Sequence, residues 1–116
     1  MREAFAHESL VVLSAGDDEH AMGAAVTVAL CGHPEHPPPC PLAPHYCHAD
    51  RHGDEVRLRV LFAAEPSDEP EVRRRIDQAL ADGGPPGGTT RWHLRESGPA
   101  EVAPHEIAHA GRLAVS

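Results

Sequence analysis

The chain has 116 residues and a formal net charge of −8, which comes from 18 acidic residues and 10 arginines. An acidic chain repels phosphate backbones, so the charge argues against nucleic acid as a partner. Hydrophobic residues make up 41% of the chain, but 18 of them are alanine, so the single domain expected over residues 1–116 has a thin core. A homodimer interface or a bound metal would stabilise such a core.

The N-terminal residues and the cysteines indicate where the protein is found. Residues 1–13 carry charges ahead of a four-residue apolar run, which is unlike a signal peptide. No stretch approaches the ~18 apolar residues that span a membrane. Three cysteines, an odd number, argue against a disulfide framework. We therefore expect a soluble cytoplasmic protein with reduced thiols and no membrane partner.

The first half of the chain predicts two strands and a long loop. Residues 10–13 are a short apolar run, and residues 24–31 have the β-branched content of a second strand. Residues 16–20, between them, are typical of a turn. Residues 31–54 contain six prolines, which no regular element accommodates, so this segment is predicted to be a loop.

A strand and a helix are predicted next. Residues 56–62 alternate apolar and polar side chains, which is the period of a strand with one buried face. Asp68 and Glu71 have the spacing of a capping box, and apolar residues at helical spacing follow them. Gly83 is expected to end this amphipathic helix.

The C-terminal third predicts one more strand and one more helix. Residues 83–88 form a flexible glycine and proline connector, and residues 89–94 favour a strand. Pro104 suits the first turn of a helix, and the residues at 105–114 place apolar side chains in a stripe.

These elements together predict an α+β fold. The sheet is expected to be small, mixed or antiparallel, with about four strands, two helices on one face, and the long Pro/Cys/His-rich loop between strands 2 and 3. A ferredoxin-like order would need an early helix, which the sequence does not clearly supply.

The loop contains the residue types that bind transition metals. All three cysteines and five of the ten histidines lie within residues 31–52. Thiolate and imidazole are the ligands that Zn²⁺ prefers in tetrahedral sites. Two pairs are spaced i, i+2 and share a side of an extended segment, so they form a candidate Cys₂His₂ set: Cys31 with His33, and His45 with Cys47. The substitute ligands are Cys40, His36 and His48.

The identity of the metal and its presence are separate questions. Zn²⁺ is the first choice, Cu⁺ suits the thiolates, and Ni²⁺ or Cu²⁺ suits the imidazoles. The prolines stiffen the segment between the two pairs and reduce the entropy that metal binding costs. The same prolines are also typical of a metal-free module that presents a stiff loop to a partner protein.

A second candidate site lies near the C-terminus. His105-Glu106-Ile107-Ala108-His109 matches the pattern His-Glu-x-x-His, and in this it resembles the zincin metalloproteases. The resemblance covers five residues and implies that His105 and His109 bind zinc while Glu106 is the general base. No usual ligand follows, so a third one would come from His93 or from the proline-rich loop. The alternative is an ordinary helix with exposed polar residues.

The sequence therefore predicts a small metal-binding accessory protein in which the Cys31–His52 loop holds the metal for structure or metal handling. One alternative is a metal-dependent hydrolase using His105, Glu106 and His109. Another is the metal-free interaction module. Because the only enzyme-like motif lacks its third ligand, a protein without catalytic activity is favoured.

Overall fold

A computed structural model describes residues 2–14, 17–31, 44–84 and 91–115, with only the backbone of Cys31 included. These residues form an α+β fold, as predicted, with four strands and, within the described ranges, three α-helices, one more than predicted. Short 3₁₀ turns, Pro66–Asp68 and Pro104–Glu106, precede the last two helices. In chain order the elements are β1 (Glu3–Leu13), α1 (His20–Cys31), β2 (His45–His52), β3 (Glu55–Ala64), α2 (Glu69–Ala81), β4 (Trp92–Ala100) and α3 (Ile107–Ala114).

The four strands form one sheet in the order β2-β3-β1-β4, and every neighbouring pair is antiparallel. The central strands β1 and β3 pair over ten residues, from Glu3 opposite Ala64 to Val12 opposite Glu55. With α1 and α2, the chain follows the β-α-β-β-α-β order of the ferredoxin-like arrangement, and α3 is an addition at its end.

The early helix that this order requires is α1, so the prediction of a strand at residues 24–31 is wrong. Met22, Val26 and Leu30 are all buried, and their spacing of four places them on one side of a helix. Thr27 is β-branched, but its hydroxyl donates to the Gly23 carbonyl at 2.9 Å, a bond that helices tolerate. Burial against the sheet therefore outweighs the strand propensity of this segment.

The predicted loop over residues 31–54 is also corrected in part. Residues 45–52 form β2, which pairs with β3 from His45 opposite Phe62 to His52 opposite Glu55. Strands β2 and β3 are joined by a two-residue turn at Gly53, whose φ of 68° favours glycine. The proline-rich segment instead connects α1 to β2, and its residues 32–43 lie outside the described part of the chain.

The helix α2 and the strand β3 match their predictions closely, except at one cap. The Asp68 side chain makes no capping hydrogen bond, and the preceding 3₁₀ turn begins the helix instead. Glu71 pairs with Arg74 and Arg75, at 2.7 Å and 2.8 Å, so the capping-box interpretation is wrong. Gly83 follows the end of α2 with a φ of 77°, as expected of a helix-terminating glycine.

Two helices lie on one face of the sheet, as predicted, but they are α1 and α2. The main core lies between these helices and the sheet, and Leu58, Val60 and Phe62 of β3 point into it. The helix α3 packs on the opposite face, where Leu61 and Ala63 of β3 are also buried. Strand β3 is therefore covered on both sides.

The last strand, β4, adds Trp92 to the core. Residues 85–88 of the predicted connector and residues 89–90 of the predicted strand lie outside the described ranges, and β4 begins at Trp92 and extends to Ala100. The Trp92 indole N–H donates to the Leu80 carbonyl at 2.8 Å, which satisfies a carbonyl at the end of α2. No helix in the described ranges is long and apolar enough to cross a membrane.

Candidate functional site

Strand β2 carries three of the predicted ligand residues, His45, Cys47 and His48, and divides them between two faces. Its side chains alternate between half-buried and exposed along the whole strand, because successive residues of a strand point to opposite faces. His45 and Cys47 face α1, whereas Tyr46 and His48 face the side of α3. His48 is therefore separated by the sheet from the pair for which it is a substitute.

On the face of β2 that is turned toward α1, His45 and Cys47 pack against one row of helix residues. The Thr27 hydroxyl and His45 Nε2 are 3.0 Å apart. One turn earlier, the absence of a side chain at Gly23 leaves room for Cys47, whose Cβ would lie 3.4 Å from an added Cβ. Cys31 follows Thr27 by four residues, so its backbone continues this row at the end of α1 nearest the start of β2.

Burial changes the acidity of Cys47. The thiol packs beside the main core, and desolvation raises its pKa to about 12. The group is a neutral thiol at physiological pH unless a cation compensates the charge of the thiolate. Cys47 is thus a poor nucleophile by itself, although a metal ion would still displace its proton.

Three of the predicted ligands, His33, His36 and Cys40, lie outside the described residues. Within the parts of the chain that the structure describes, no group of three or more Cys, His, Asp or Glu side chains is arranged to hold a metal ion. The arrangement of the Cys₂His₂ set therefore remains a prediction from the sequence.

The opposite face of β2 borders a cavity of about 550 Å³ beneath the start of α3. We call it the imidazole cleft. The rings of Tyr46 and His109 form one of its walls, with their centroids 4.6 Å apart and their planes tilted by 56°. The polar and aromatic side chains of the imidazole cleft are those of Tyr46, His48, Arg59, His105, Glu106 and His109.

Glu106, in the centre of the His-Glu-x-x-His pattern, is bound by Arg59 of β3. The guanidinium Nε and Nη2 donate to the two carboxylate oxygens at 2.8 Å and 2.7 Å, and the Ala103 N–H donates at 2.8 Å. These bonds lower the pKa of Glu106 to about 2, and the bond from Arg59 has the largest effect. A carboxylate held in this way is a weak proton acceptor, so its geometry favours a structural role over that of general base.

The structure also shows where the candidates for a third ligand beside His105 and His109 lie. Strand β4, which carries the exposed His93, is at the edge of the sheet opposite to β2. His48, from the segment predicted to be the loop, lines the imidazole cleft together with both histidines. His105 and His109 therefore line the same cavity as a residue of β2, whereas the two central strands separate them from β4.

No protein-family model and no curated protein matches this chain. Among solved structures, the aminobenzoyl-glutamate utilization protein from Klebsiella pneumoniae is similar over 93% of this chain and 32% of that chain. The identity is 11% and the TM-score is 0.37. This chain thus spans about a third of the length of that protein, and so distant a likeness carries no argument about function.

A partly buried polar cluster between the sheet and α2 was not apparent from the sequence. His7 is 1% exposed, and its Nε2 lies 2.8 Å from Asp77 and 3.0 Å from the Ser97 hydroxyl. Arg73 is 3.0 Å from His7 Nδ1, and because a guanidinium only donates, Nδ1 accepts and the proton is on Nε2. His7 therefore donates to Asp77, and the cluster links β1, α2 and β4.

Proposed function

We propose that this protein is a metal-binding accessory domain that holds Zn²⁺ at the junction of α1 and β2. The ligands are Cys31, His33, His45 and Cys47. The observation that carries the proposal is the packing of one α1 row along β2, with Gly23 at Cys47 and Thr27 at His45. The next position in that row is Cys31.

Two physical arguments support a metal at this junction. The partly buried Cys47 thiol is costly to ionise, and a divalent cation is the partner that stabilises a desolvated thiolate. The net charge of −8 also attracts cations to the protein. With two thiolates and two imidazoles, Zn²⁺ takes a closed tetrahedral site that fastens the end of α1 to the start of β2.

The role that follows is structural or metal handling rather than catalysis, because four protein ligands leave no open coordination position. Reduced thiols are required, which is consistent with a cytoplasmic location. A second copy of the chain or a partner protein at the proline-rich segment is the alternative if no metal is bound.

Elemental analysis of the full chain, purified without an affinity tag or added metal, tests the proposal. We expect zinc at near one equivalent, and Co²⁺ substitution should give the charge-transfer absorption of metal-bound thiolate. The double variant Cys31→Ser, Cys47→Ser should lose both signals.

His93→Ala is the matched control, because His93 is exposed on the far edge strand β4 and should leave both signals unchanged. Circular dichroism checks that each variant is folded. A wild-type protein without metal, or a folded double variant that keeps the thiolate signal, would overturn the proposal.

A further inference from the structure

We propose that the outer edge of β2 pairs with the same edge of a second copy of the chain, so that the two sheets become one continuous antiparallel sheet. A two-fold axis beside Ala49 relates the two copies. This dimer goes beyond the Zn²⁺ site at the α1–β2 junction, because it uses the backbone and the exposed face of β2 rather than the side chains that would bind the metal.

The pairing of β2 with β3 determines which backbone groups face the outer edge. The Ala63 N–H donates to the Pro44 carbonyl at 3.0 Å, in register with the rest of the two strands. Because hydrogen-bonded pairs alternate along an antiparallel ladder, the even-numbered residues of β2 face β3 and the odd-numbered ones face outward. The N–H and C=O groups of Cys47, Ala49 and Arg51 therefore point away from β3. Among the described residues, β3 is the only strand that pairs with β2.

The other edge of the sheet, β4, has features that prevent such pairing. Its register with β1 shifts between Leu10 and Val11, which marks an irregularity or bulge. Pro99 lies within β4 and has no N–H to donate. Bulges and prolines block edge-to-edge association. Strand β2 has neither, since it contains no proline and its register with β3 is unbroken over residues 45–52.

The charges of β2 also suit pairing with a second copy. Two copies repel each other, since each carries a formal net charge of −8. Asp50 is the only acidic residue of β2, whereas the strand also holds Arg51 and three histidines. The edge of β2 is therefore a part of the surface where this repulsion is weak.

One register of the dimer places complementary side chains opposite each other. With Ala49 opposite Ala49 of the second copy, His48 of each copy lies opposite Asp50 of the other, and Tyr46 lies opposite His52. All four of these side chains are exposed on the same face of β2. An imidazole can donate to a carboxylate, so the His48 and Asp50 pair forms twice. An axis at His48 would oppose two histidines, and one at Asp50 would oppose two carboxylates.

This register also pairs the outward backbone groups. Ala49 exchanges two hydrogen bonds with Ala49 of the second copy, and Cys47 does the same with Arg51 on both sides of the axis. The Arg51 side chain leaves the edge open, because its guanidinium donates to the Ser14 carbonyl at 2.9 Å. Ser14 follows β1, which lies beyond β3, so the side chain extends away from the outer edge.

Sedimentation velocity of the full chain, with a reductant and a chelator present, tests the proposal. We expect a concentration-dependent equilibrium between monomer and dimer. Ala49→Pro removes an outward N–H and leaves the bonds to β3 in place, so a folded variant should be monomeric. His48→Glu places a carboxylate opposite Asp50 on both sides of the axis, and it should weaken the dimer by roughly tenfold or more.

The double variant His48→Glu, Asp50→Arg restores opposite charges across the axis, so it should recover the dimer. His93→Glu is the matched control, because it makes the same change at an exposed position of β4 and should leave the dimer unchanged. Circular dichroism checks that each variant is folded. A wild-type chain that stays monomeric at its highest soluble concentration would overturn the proposal. So would a dimer that the folded His48→Glu variant leaves intact, or one that the double variant does not recover.

A further variant separates this proposal from that of the Zn²⁺ site. Cys31→Ser with Cys47→Ser removes two of the proposed metal ligands but keeps the outward backbone groups of β2. This variant should remain dimeric, and its dimer cannot be a disulfide between copies at these positions. Because the sedimentation experiment is done without metal, each of the two proposals can fail while the other stands.

Discussion

Arg59 holds both carboxylate oxygens of Glu106, with Nε 2.8 Å from Oε2 and Nη2 2.7 Å from Oε1. The same guanidinium reaches Glu8 on β1 at 2.8 Å, so it ties the start of α3 to both central strands. The residue that a zincin-like pattern would make catalytic is thus an anchor for the helix that carries the pattern.

This anchor should make the protein sensitive to acid. The folded-state pKa of Glu106 is lowered from 4.5 to about 2, so its stabilising effect is complete above pH 4.5 and is lost as the pH falls toward 2. We expect Glu106→Gln to lower the free energy of unfolding by roughly 2 kcal/mol at pH 7, measured by urea denaturation. The variant should also lose less stability than the wild type between pH 5 and pH 2.5.

Glu96→Gln is a suitable control for this prediction, since Glu96 is exposed on β4 and should change stability little. If Glu106→Gln and the wild type have parallel pH profiles, the Arg59 pair does not stabilise the fold as its geometry indicates.

A pair of valines distinguishes the helix α1 from the strand predicted at the same place. Val26 is fully buried, whereas Val28 is half-buried at the groove between α1 and α2. Val26→Ala should cost about 2 kcal/mol of unfolding free energy, and Val28→Ala much less. In a strand the two residues would share a face, so equal losses in urea denaturation would contradict the helix.

The acidity of Cys47 gives the proposed zinc site a characteristic pH dependence. Its thiol has a pKa of about 12, so between pH 6 and pH 9 the metal must displace a proton to bind the sulfur. The zinc affinity should therefore rise with pH, with this proton contributing about a tenfold change per unit. Competition with a coloured chelator at several pH values measures the slope.

Cys47→Ser should reduce that slope by about one proton as well as lowering the affinity. An unchanged slope in a variant that still binds zinc would mean that Cys47 is not a ligand. Cys31→Ser, measured alongside, shows how much of the slope belongs to the other thiol.

Elements with a strong local period were predictable from the sequence. The strand over residues 56–62 and the helix that ends before Gly83 alternate or repeat apolar residues clearly, and both are present. The sequence of α1 does not predict a helix, because it is alanine-rich and apolar on several sides and therefore has no strong amphipathic period. Its β-branched residues then favoured a strand, and only packing on the sheet decides otherwise.

The strand β2 was missed for a different reason. Its residues, from His45 to His52, are mostly polar, and they follow a proline-rich segment. An edge strand of this kind gains its stability from the partner strand β3 rather than from its own propensity. The ligand types were therefore visible in the sequence, but their division between the two faces was not, because that division depends on the pairing.

The turn at Gly53 accordingly decides more than the direction of the chain. It joins β2 to β3 with two residues and a positive φ, which fixes the register of every residue in β2. A one-residue insertion that shifts the pairing of β2 with β3 by one residue would exchange the two faces of β2. His48 would then point toward α1, and Cys47 would enter the imidazole cleft. The length of this turn therefore determines which of the candidate ligands lie on the same face of the sheet.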